Sequence, residues 1–324
     1  FITGGVGAIH EDEKFGPDYF LPTDAYLETC AAVGAGFFSQ RMNQLTCNAR
    51  YMDEVERVLY NNVLTGVSLS GDKYTYQNPL NTDKPDRWEW HVCPCCPPMF
   101  LKIMAAMPGY IYAYQGDNVY VNLFIGSEVR VPVGKSNSVR LKQLTSYPWH
   151  GAVSIQVNPD KASTFSMKVR IPGWAQGTEN PYDLYQSNLK APVKLKVNQE
   201  DVLLRIVDGY AEINREWKKG DHIELELPMQ PRLITANKAV ENLRGQVALA
   251  SGPIIYCFED ADNPELQTFK LQAQTPLELS HDSNLLNGVN IIKCQGDIPA
   301  KAIPYYAVAN REESHSYKVW IPQK

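Results

Sequence analysis

Hydrophobic positions follow two different periods along this chain, and the change falls near residue 110. From Asp24 to about Leu45, apolar residues recur at helical spacing (Leu27, Ala31, Ala35, Phe38), and Asp24 is placed to cap the start. A second stripe, Tyr51, Val55, Val58, Leu59 and Val63, predicts a helix from about Ala49 to Thr65, with Asp53, Glu54, Glu56 and Arg57 facing mostly elsewhere. The two form a helical hairpin in this reading. A third helix is expected from Pro97-Pro98 to Met107, because proline suits the first turn, where no N–H is needed. Pro108-Gly109 ends it, residues 1–23 read as loop, and residues 67–95 are irregular around a Gly71-Asp72 turn.

Beyond residue 110 the period shortens to that of strands. Tyr110–Tyr114 and Val119–Ile125 flank Gly116-Asp117-Asn118, a hairpin signal. Further strands are expected at Ser138–Leu144, Ala152–Val157, Phe165–Ile171, Val193–Val197, Val202–Ile206, Tyr210–Ile213, His222–Leu227, Gly245–Ala250, Ile254–Phe258, Phe269–Leu271 and Ala302–Ala309. Short, closely spaced strands of this kind indicate antiparallel β-sandwich modules. Three helices in about 110 residues cannot close a large helical domain around a site. The opening at Phe1-Ile2-Thr3-Gly4-Gly5 reads as an element cut in mid-course, so the chain is expected to be part of a longer protein.

Composition removes some functions. The chain has 324 residues and a net charge of −5, with no basic stripe, which argues against nucleic acid as a partner. No run of about 18 apolar residues is present, so no helical membrane span is expected. The Gly4-Gly5-Val6-Gly7 run neither follows a strand nor opens a helix, which excludes a dinucleotide-binding reading. Tyrosine is abundant, at 18 residues, as in many carbohydrate sites, although most such rings serve as core.

The seven cysteines change the picture. Three of them fall in Cys93-Pro94-Cys95-Cys96, a spacing unlike a disulfide framework and suited to metal binding or catalysis. A helix start beside them would favour the thiolate form. Glu28-Thr29-Cys30 adds a carboxylate and a thiol. Positions i and i+2 of a helix lie about 200° apart, so these two converge on one ion only at a helix end. Zinc accepts such S and O ligands. Two alternatives remain: Cys30 packs in the core, or the metal is purely structural. Cys47, Cys257 and Cys294 read as core thiols. His10, His91 and His150 are candidate ligands, with His91 best placed through its nearness to Cys93. The acidic run Glu11-Asp12-Glu13 is either a solvated surface cluster or the source of a general acid/base.

A family resemblance sharpens these readings. Thr3-Gly4-Gly5-Val6-Gly7, Leu21-Pro22, Tyr26-Leu27-Glu28-Thr29-Cys30-Ala31-Ala32 and Val55-Glu56-Arg57-Val58-Leu59-Tyr60-Asn61 occur in this order. Tyr76-Gln77-Asn78-Pro79-Leu80, Cys93-Pro94-Cys95-Cys96-Pro97-Pro98, Gly109-Tyr110-Ile111-Tyr112-Ala113 and Val121-Asn122-Leu123 follow. With Arg170-Ile171-Pro172-Gly173-Trp174-Ala175 and Gly245 to Pro253, the chain resembles the β-L-arabinofuranosidases of glycoside hydrolase family 127 and the related family 146.

The resemblance implies an α+β multidomain fold: part of an (α/α)6 barrel over residues 1–110, a β-sandwich over 111–232 and a second β-rich domain over 233–324. It implies a Zn2+ ion on Glu28, Cys30, Cys95 and Cys96, with Cys95 as nucleophile, Glu13 as acid/base (Glu11 the alternative) and Cys93 lining the site without binding metal. Tyr76 would contact substrate, with His91 and Trp90 bordering the sugar. The implied reaction is retaining exo-hydrolysis that releases a terminal pentofuranose from an oligosaccharide or glycoside. The alternatives are another pectin-derived sugar, or a non-catalytic carbohydrate-binding piece with structural zinc. The earlier half of the barrel, or a homo-oligomer, would complete the helical part. Otherwise the isolated chain would be inactive and its helices would expose an apolar face. Two departures keep Glu11 as the alternative acid/base: Asp12 stands where the family carries glycine, and the interval from Glu13 to Glu28 is one residue shorter than the family pattern. Two others bear on specificity: Trp88-Glu89-Trp90-His91 precedes the cysteines, and Met99 stands where asparagine is common.

Overall fold

The computed structural model describes residues 1–324, the side chain of Tyr182 apart. It is mostly β, with three α-helices among the described residues, all within the first 110. Helix α1 spans Thr29–Thr46, α2 Arg50–Val58 and α3 Cys96–Ala106. Cys47 takes a left-handed conformation at the end of α1 (φ 53°) and turns the chain into α2. Val33, Met52, Val55, Val58, Leu59 and Ile103 fill the contact between the three helices.

Several boundaries differ from expectation for local reasons. α1 does not start at Asp24. Residues 24–28 are not helical, Leu27 has φ +43°, and Glu28 pairs with Gln77 as an isolated bridge. The helix begins only where that pairing ends. α2 gives way to a π-helical turn at Leu59–Val63 and a 3₁₀ turn at Leu64–Gly66. The turn carries the buried Asn61, whose side chain bonds the backbone of Pro253 and Ile255 at 3.0 and 2.8 Å. Asp53 and Glu56 of α2 turn toward the middle unit of the chain rather than to open solvent. Both form ion pairs with the fully buried Arg170, and Tyr147 and Trp174 also donate to Glu56.

Residues 112–226 form two sheets over one core. One has six strands, in the order 200–201, 194–197, 221–226, 152–159, 137–145 and 127–133. The other runs 206–207, 210–217, 163–170, 118–121 and 112–115, with a parallel pair between 118–121 and 163–170. Val121, Leu141, Ile155, Phe165, Met167 and Trp217 meet between them. A third sheet of ten strands is built from 232–236, 246–251, 254–259, 277–282, 289–294 and 300–304, with short strands at 81–82, 185–187, 317–318 and 321–322 attached. Strand 254–259 is buried along its whole length, because separate apolar clusters cover its two faces. It therefore reads as a continuous apolar run rather than an alternation.

Four longer strands fall outside the expected set: 127–133, where Val129, Val131 and Val133 alternate with polar residues and Pro132, and 232–236, 277–282 and 289–294. The first contains Pro132 and lies at a sheet edge, where a missing N–H is tolerated. Several expected strands are absent or shortened, Val119–Ile125 among them, which ends at Val121. Phe269–Leu271 contributes a bridge from Leu271 to Gln323, and Ala302–Ala309 turns into a 3₁₀ helix at Tyr305. Val202–Ile206 is likewise irregular between short pairings at 200–201 and 206–207. Phe38, Leu45 and Leu101 are 64%, 79% and 67% exposed, so α1 and α3 present an uncovered apolar face.

Candidate metal and catalytic site

The site assembles where α1 and α3 begin. Glu28 is the residue before α1, in extended conformation, and its carboxylate makes no helix-capping bond. Cys30 lies in the first turn, so the helix end supplies the convergence that mid-helix geometry forbids. Cys95 caps α3 and Cys96 is its first residue, followed by Pro97. One ligand atom from each of Glu28, Cys30, Cys95 and Cys96 lies within 4.8 Å of all the others. Cys30 Sγ is 3.3 Å from Cys96 Sγ, and Cys95 Sγ is 3.9 Å from Cys96 Sγ. Glu28 Oε1 lies 3.4 Å from Cys95 Sγ and 3.9 Å from Cys96 Sγ. Tetrahedral zinc with S–metal bonds of about 2.3 Å sets sulfur–sulfur edges of roughly 3.8 Å. The donor set fits such an ion in type, number and spacing.

Protein atoms alone do not favour thiolates here. The hydrogen bond to Cys96, then burial, raises the Cys30 thiol far above its ordinary range. Burial pushes Cys95 up to about 12, against the pull of Tyr76 and with Cys30 adding to the rise. Three half-buried to buried thiols beside a carboxylate form a site in which a divalent cation would stabilise the thiolate charge that burial opposes.

The acidic run divides. Glu11 and Asp12 face solvent, and Asp12 pairs with Lys14 at 2.8 Å. Glu13 turns toward the cluster: its Oε1 accepts from Tyr26 Oη at 2.8 Å and Tyr76 Oη at 3.3 Å. The Tyr76 hydroxyl also lies 3.5 Å from Cys95 Sγ. One tyrosine thus connects the carboxylate to the thiol. The backbone makes this turn at a conformational cost, since Asp12 and Glu13 have φ of +54° and +55°.

His91 and Trp88 stack with ring centroids 4.3 Å apart, and His91 lies 5.2 Å from the Tyr76 ring. Trp90 is 73% exposed, so Trp88 is the tryptophan packed against Tyr76. Cys93 is exposed outside the four-ligand cluster, and its N–H donates to His91 Nδ1. His10 packs edge-on to Tyr26 and bonds the carbonyl of Asp24. His150 lies far from this cluster, in a cleft with Trp149 and His281. Cys257 and Cys294 are core residues, whereas Cys47 is partly exposed in its turn. Tyr26 escaped the sequence reading. A strand-like reading of residues 24–28 would have placed Tyr26 and Glu28 on one face.

Three family models together cover most of this chain. The GH127 β-L-arabinofuranosidase catalytic domain matches residues 1–109, the GH127 middle domain 118–229 and the family 127 C-terminal domain 231–322. The chain belongs to glycoside hydrolase family 127. A non-reducing end β-L-arabinofuranosidase of Bifidobacterium longum subsp. longum is 31% identical across 96% of this chain and 52% of its own length. A solved GH127 β-arabinofuranosidase superimposes with a TM-score of 0.94 at 37% identity, covering 100% of this chain and 54% of its own. A GH127 β-L-arabinofuranosidase from Geobacillus stearothermophilus T6 gives 0.91 at 35% identity, again over 100% of this chain and 54% of its own. The family 127 chain described here thus spans about half the length of these relatives.

Proposed function

We propose that this family 127 chain carries the nucleophile and acid/base of a retaining exo-glycoside hydrolase that releases a terminal β-L-arabinofuranose from plant-type glycans. The observation that carries the reading is the four-ligand cluster of Glu28, Cys30, Cys95 and Cys96, with Glu13 tied to Cys95 through Tyr76. The naming of the matched relatives as arabinofuranosidases supports the choice of sugar. The three helices belong, in this proposal, to an (α/α)6 barrel whose other helices would cover Phe38, Leu45 and Leu101. Residues 1–110, 111–232 and 233–324 are its catalytic, β-sandwich and second β-rich units.

Retention requires two groups on opposite sides of the anomeric carbon. Cys95 Sγ attacks that carbon while Glu13 gives its proton to the departing oxygen. A thioglycosyl bond forms as the glycosidic bond breaks. Glu13, now a carboxylate, takes a proton from water, and the resulting hydroxide displaces the Cys95 sulfur. Tyr26 and Tyr76 hold the Glu13 carboxylate in place through both events. When bound by Glu28, Cys30, Cys95 and Cys96, zinc would keep the thiols deprotonated. The stacked Trp88–His91 pair and Trp90 border the sugar.

The test is Cys95→Ser and Glu13→Gln in the full-length protein, assayed on an aryl β-L-arabinofuranoside. Turnover is expected to fall by about 10³-fold or more in the first and about 10²-fold or more in the second. Near-wild-type turnover in both would end the assignment. A second sugar is favoured by one feature, the aromatic Trp88-Glu89-Trp90-His91 border, and a panel of aryl pentosides and pectin-derived sugars separates the two.

A further inference from the structure

Behind the Tyr76 hydroxyl, the chain runs through Gln77, Asn78, Pro79 and Leu80 into the C-terminal sheet. On its front side this segment holds the start of α1. Tyr76 O accepts from Thr29 N at 3.0 Å, Glu28 bridges Gln77, and Asn78 Nδ2 donates to Leu27 O and Thr29 Oγ1 at 3.0 and 2.9 Å. On its back side it is fixed by the C-terminal unit. Tyr305 Oη donates to Asn78 O at 2.8 Å, and Tyr317 Oη donates to Pro79 O at 2.8 Å. The Asn81 side chain accepts from the N–H groups of Val319 and Trp320 and donates to Trp320 O.

Arg87 closes the arrangement from the other end of the same loop. Its Nε donates to Val308 O and Ala309 O at 3.3 and 3.1 Å, and Nη2 to Val308 O at 2.8 Å. Its Nη1 donates to Thr65 O at 2.9 Å and Thr75 Oγ1 at 3.1 Å. All these partners are neutral oxygens, drawn from the 3₁₀ turn at Leu64–Gly66, the Tyr76 loop and the C-terminal unit. The next residue, Trp88, pairs its backbone with Tyr74 and stacks on His91. A cavity of about 330 Å³ lies between the loop and the C-terminal unit, lined by Tyr76, Arg87, Trp88, Val308 and Tyr317 among others. Packing therefore does not fix the loop here, and directional hydrogen bonds do.

We infer that the C-terminal β unit is a positioning part of the catalytic site, acting through the Tyr74–Trp88 loop with Arg87 as its central clamp. The inference rests on the role proposed for Tyr76. The rigid fork of arginine reaches three chain segments at once. Lysine, with three donors at one point, cannot. Losing the clamp frees Tyr76 to drift from Glu13 and Cys95, and misplacement by about 1 Å is enough to slow catalysis strongly.

The experiment compares Arg87→Met, Arg87→Lys and the milder Tyr317→Phe in the full-length protein by steady-state kinetics and by hydrogen exchange over residues 74–88. Tyr210→Phe is the control. It removes the buried hydroxyl that accepts from Asn43 Nδ2 of α1 and donates to Asn122 Oδ1 of the middle unit, remote from the loop. We expect faster exchange over 74–88 and a kcat about 10-fold lower in Arg87→Met, with KM within about 3-fold. Lysine restores little, Tyr317→Phe gives a smaller change of the same sign, and Tyr210→Phe lowers thermal stability with kcat unchanged. Unchanged exchange overturns the inference. So does faster exchange with unchanged kcat, when Tyr76→Phe itself is slow. Wild-type turnover in Cys95→Ser would instead strike the proposed reaction and leave the exchange result standing.

Discussion

At Cys95 two opposing influences meet. The start of α3 supplies a positive dipole end, which favours thiolate, and the sequence alone suggests activation on that ground. Burial beside other thiols works the other way and wins, raising the group to about 12. In metal-free protein at pH 7, Cys95 should therefore be almost wholly protonated, and iodoacetamide should modify the exposed Cys93 at least about 10-fold faster. Peptide mass spectrometry after timed alkylation reads the order, and prior modification of Cys95 would contradict it. Asp12 is a second case. The family's glycine fits a left-handed backbone, and Asp12 sits there at φ +54°. Asp12→Gly should raise the denaturant midpoint by about 1 kcal/mol of stability, because strain exceeds the entropy lost with glycine. A drop in stability would show that the Lys14 ion pair matters more.

At the scale of elements, α2 was legible as a helix but not in its buried charges. Asp53 and Glu56 lie on the side away from its apolar stripe, which in an isolated helix would be the wet side. The middle unit covers that side and supplies Arg170 to neutralise it. Removing the guanidinium as Arg170→Met would leave two carboxylates facing a closed interior. The expected loss is about 3–5 kcal/mol, read from chemical unfolding. Burial, resisted by Arg170, raises Asp53 from 3.8 to about 6. A raised carboxylate stabilises the fold below its unfolded value and loses that contribution as pH climbs through the folded one. Thermal stability attributable to Asp53 should thus decline between pH 4 and 6, and Asp53→Asn should flatten that slope. An unaltered slope would reject the assignment.

For the whole molecule, the cluster ties α1, α3 and the Tyr76 loop together, and the loop in turn is anchored in the C-terminal sheet. A metal ion held by the cluster would therefore be coupled to tertiary stability as well as to the proposed reaction. Treatment with a strong chelator should remove one divalent ion per chain and lower the thermal midpoint by about 5 °C or more, a shift worth a few kcal/mol. Zinc should restore both the midpoint and turnover. Elemental analysis beside calorimetry checks this, and a midpoint indifferent to chelation would show that the ion does not hold the elements together. The exposed Phe38, Leu45 and Leu101 belong to this scale too.

What the sequence determined by itself was the order of helices before strands, most strand positions in the middle unit, and the choice of Glu28, Cys30, Cys95 and Cys96 as residues that come together. Short-range periodicity and a family motif carry that information locally. Only the tertiary structure decided the rest. It placed Glu28 at a helix end rather than inside a helix, brought Tyr26 and Tyr76 to Glu13, and chose Trp88 over Trp90 as the ring on Tyr76. It also buried the charges of α2 and laid Arg87 between three segments. Each depends on partners dozens to hundreds of residues away, and such pairings leave no trace in the local alternation of polar and apolar positions.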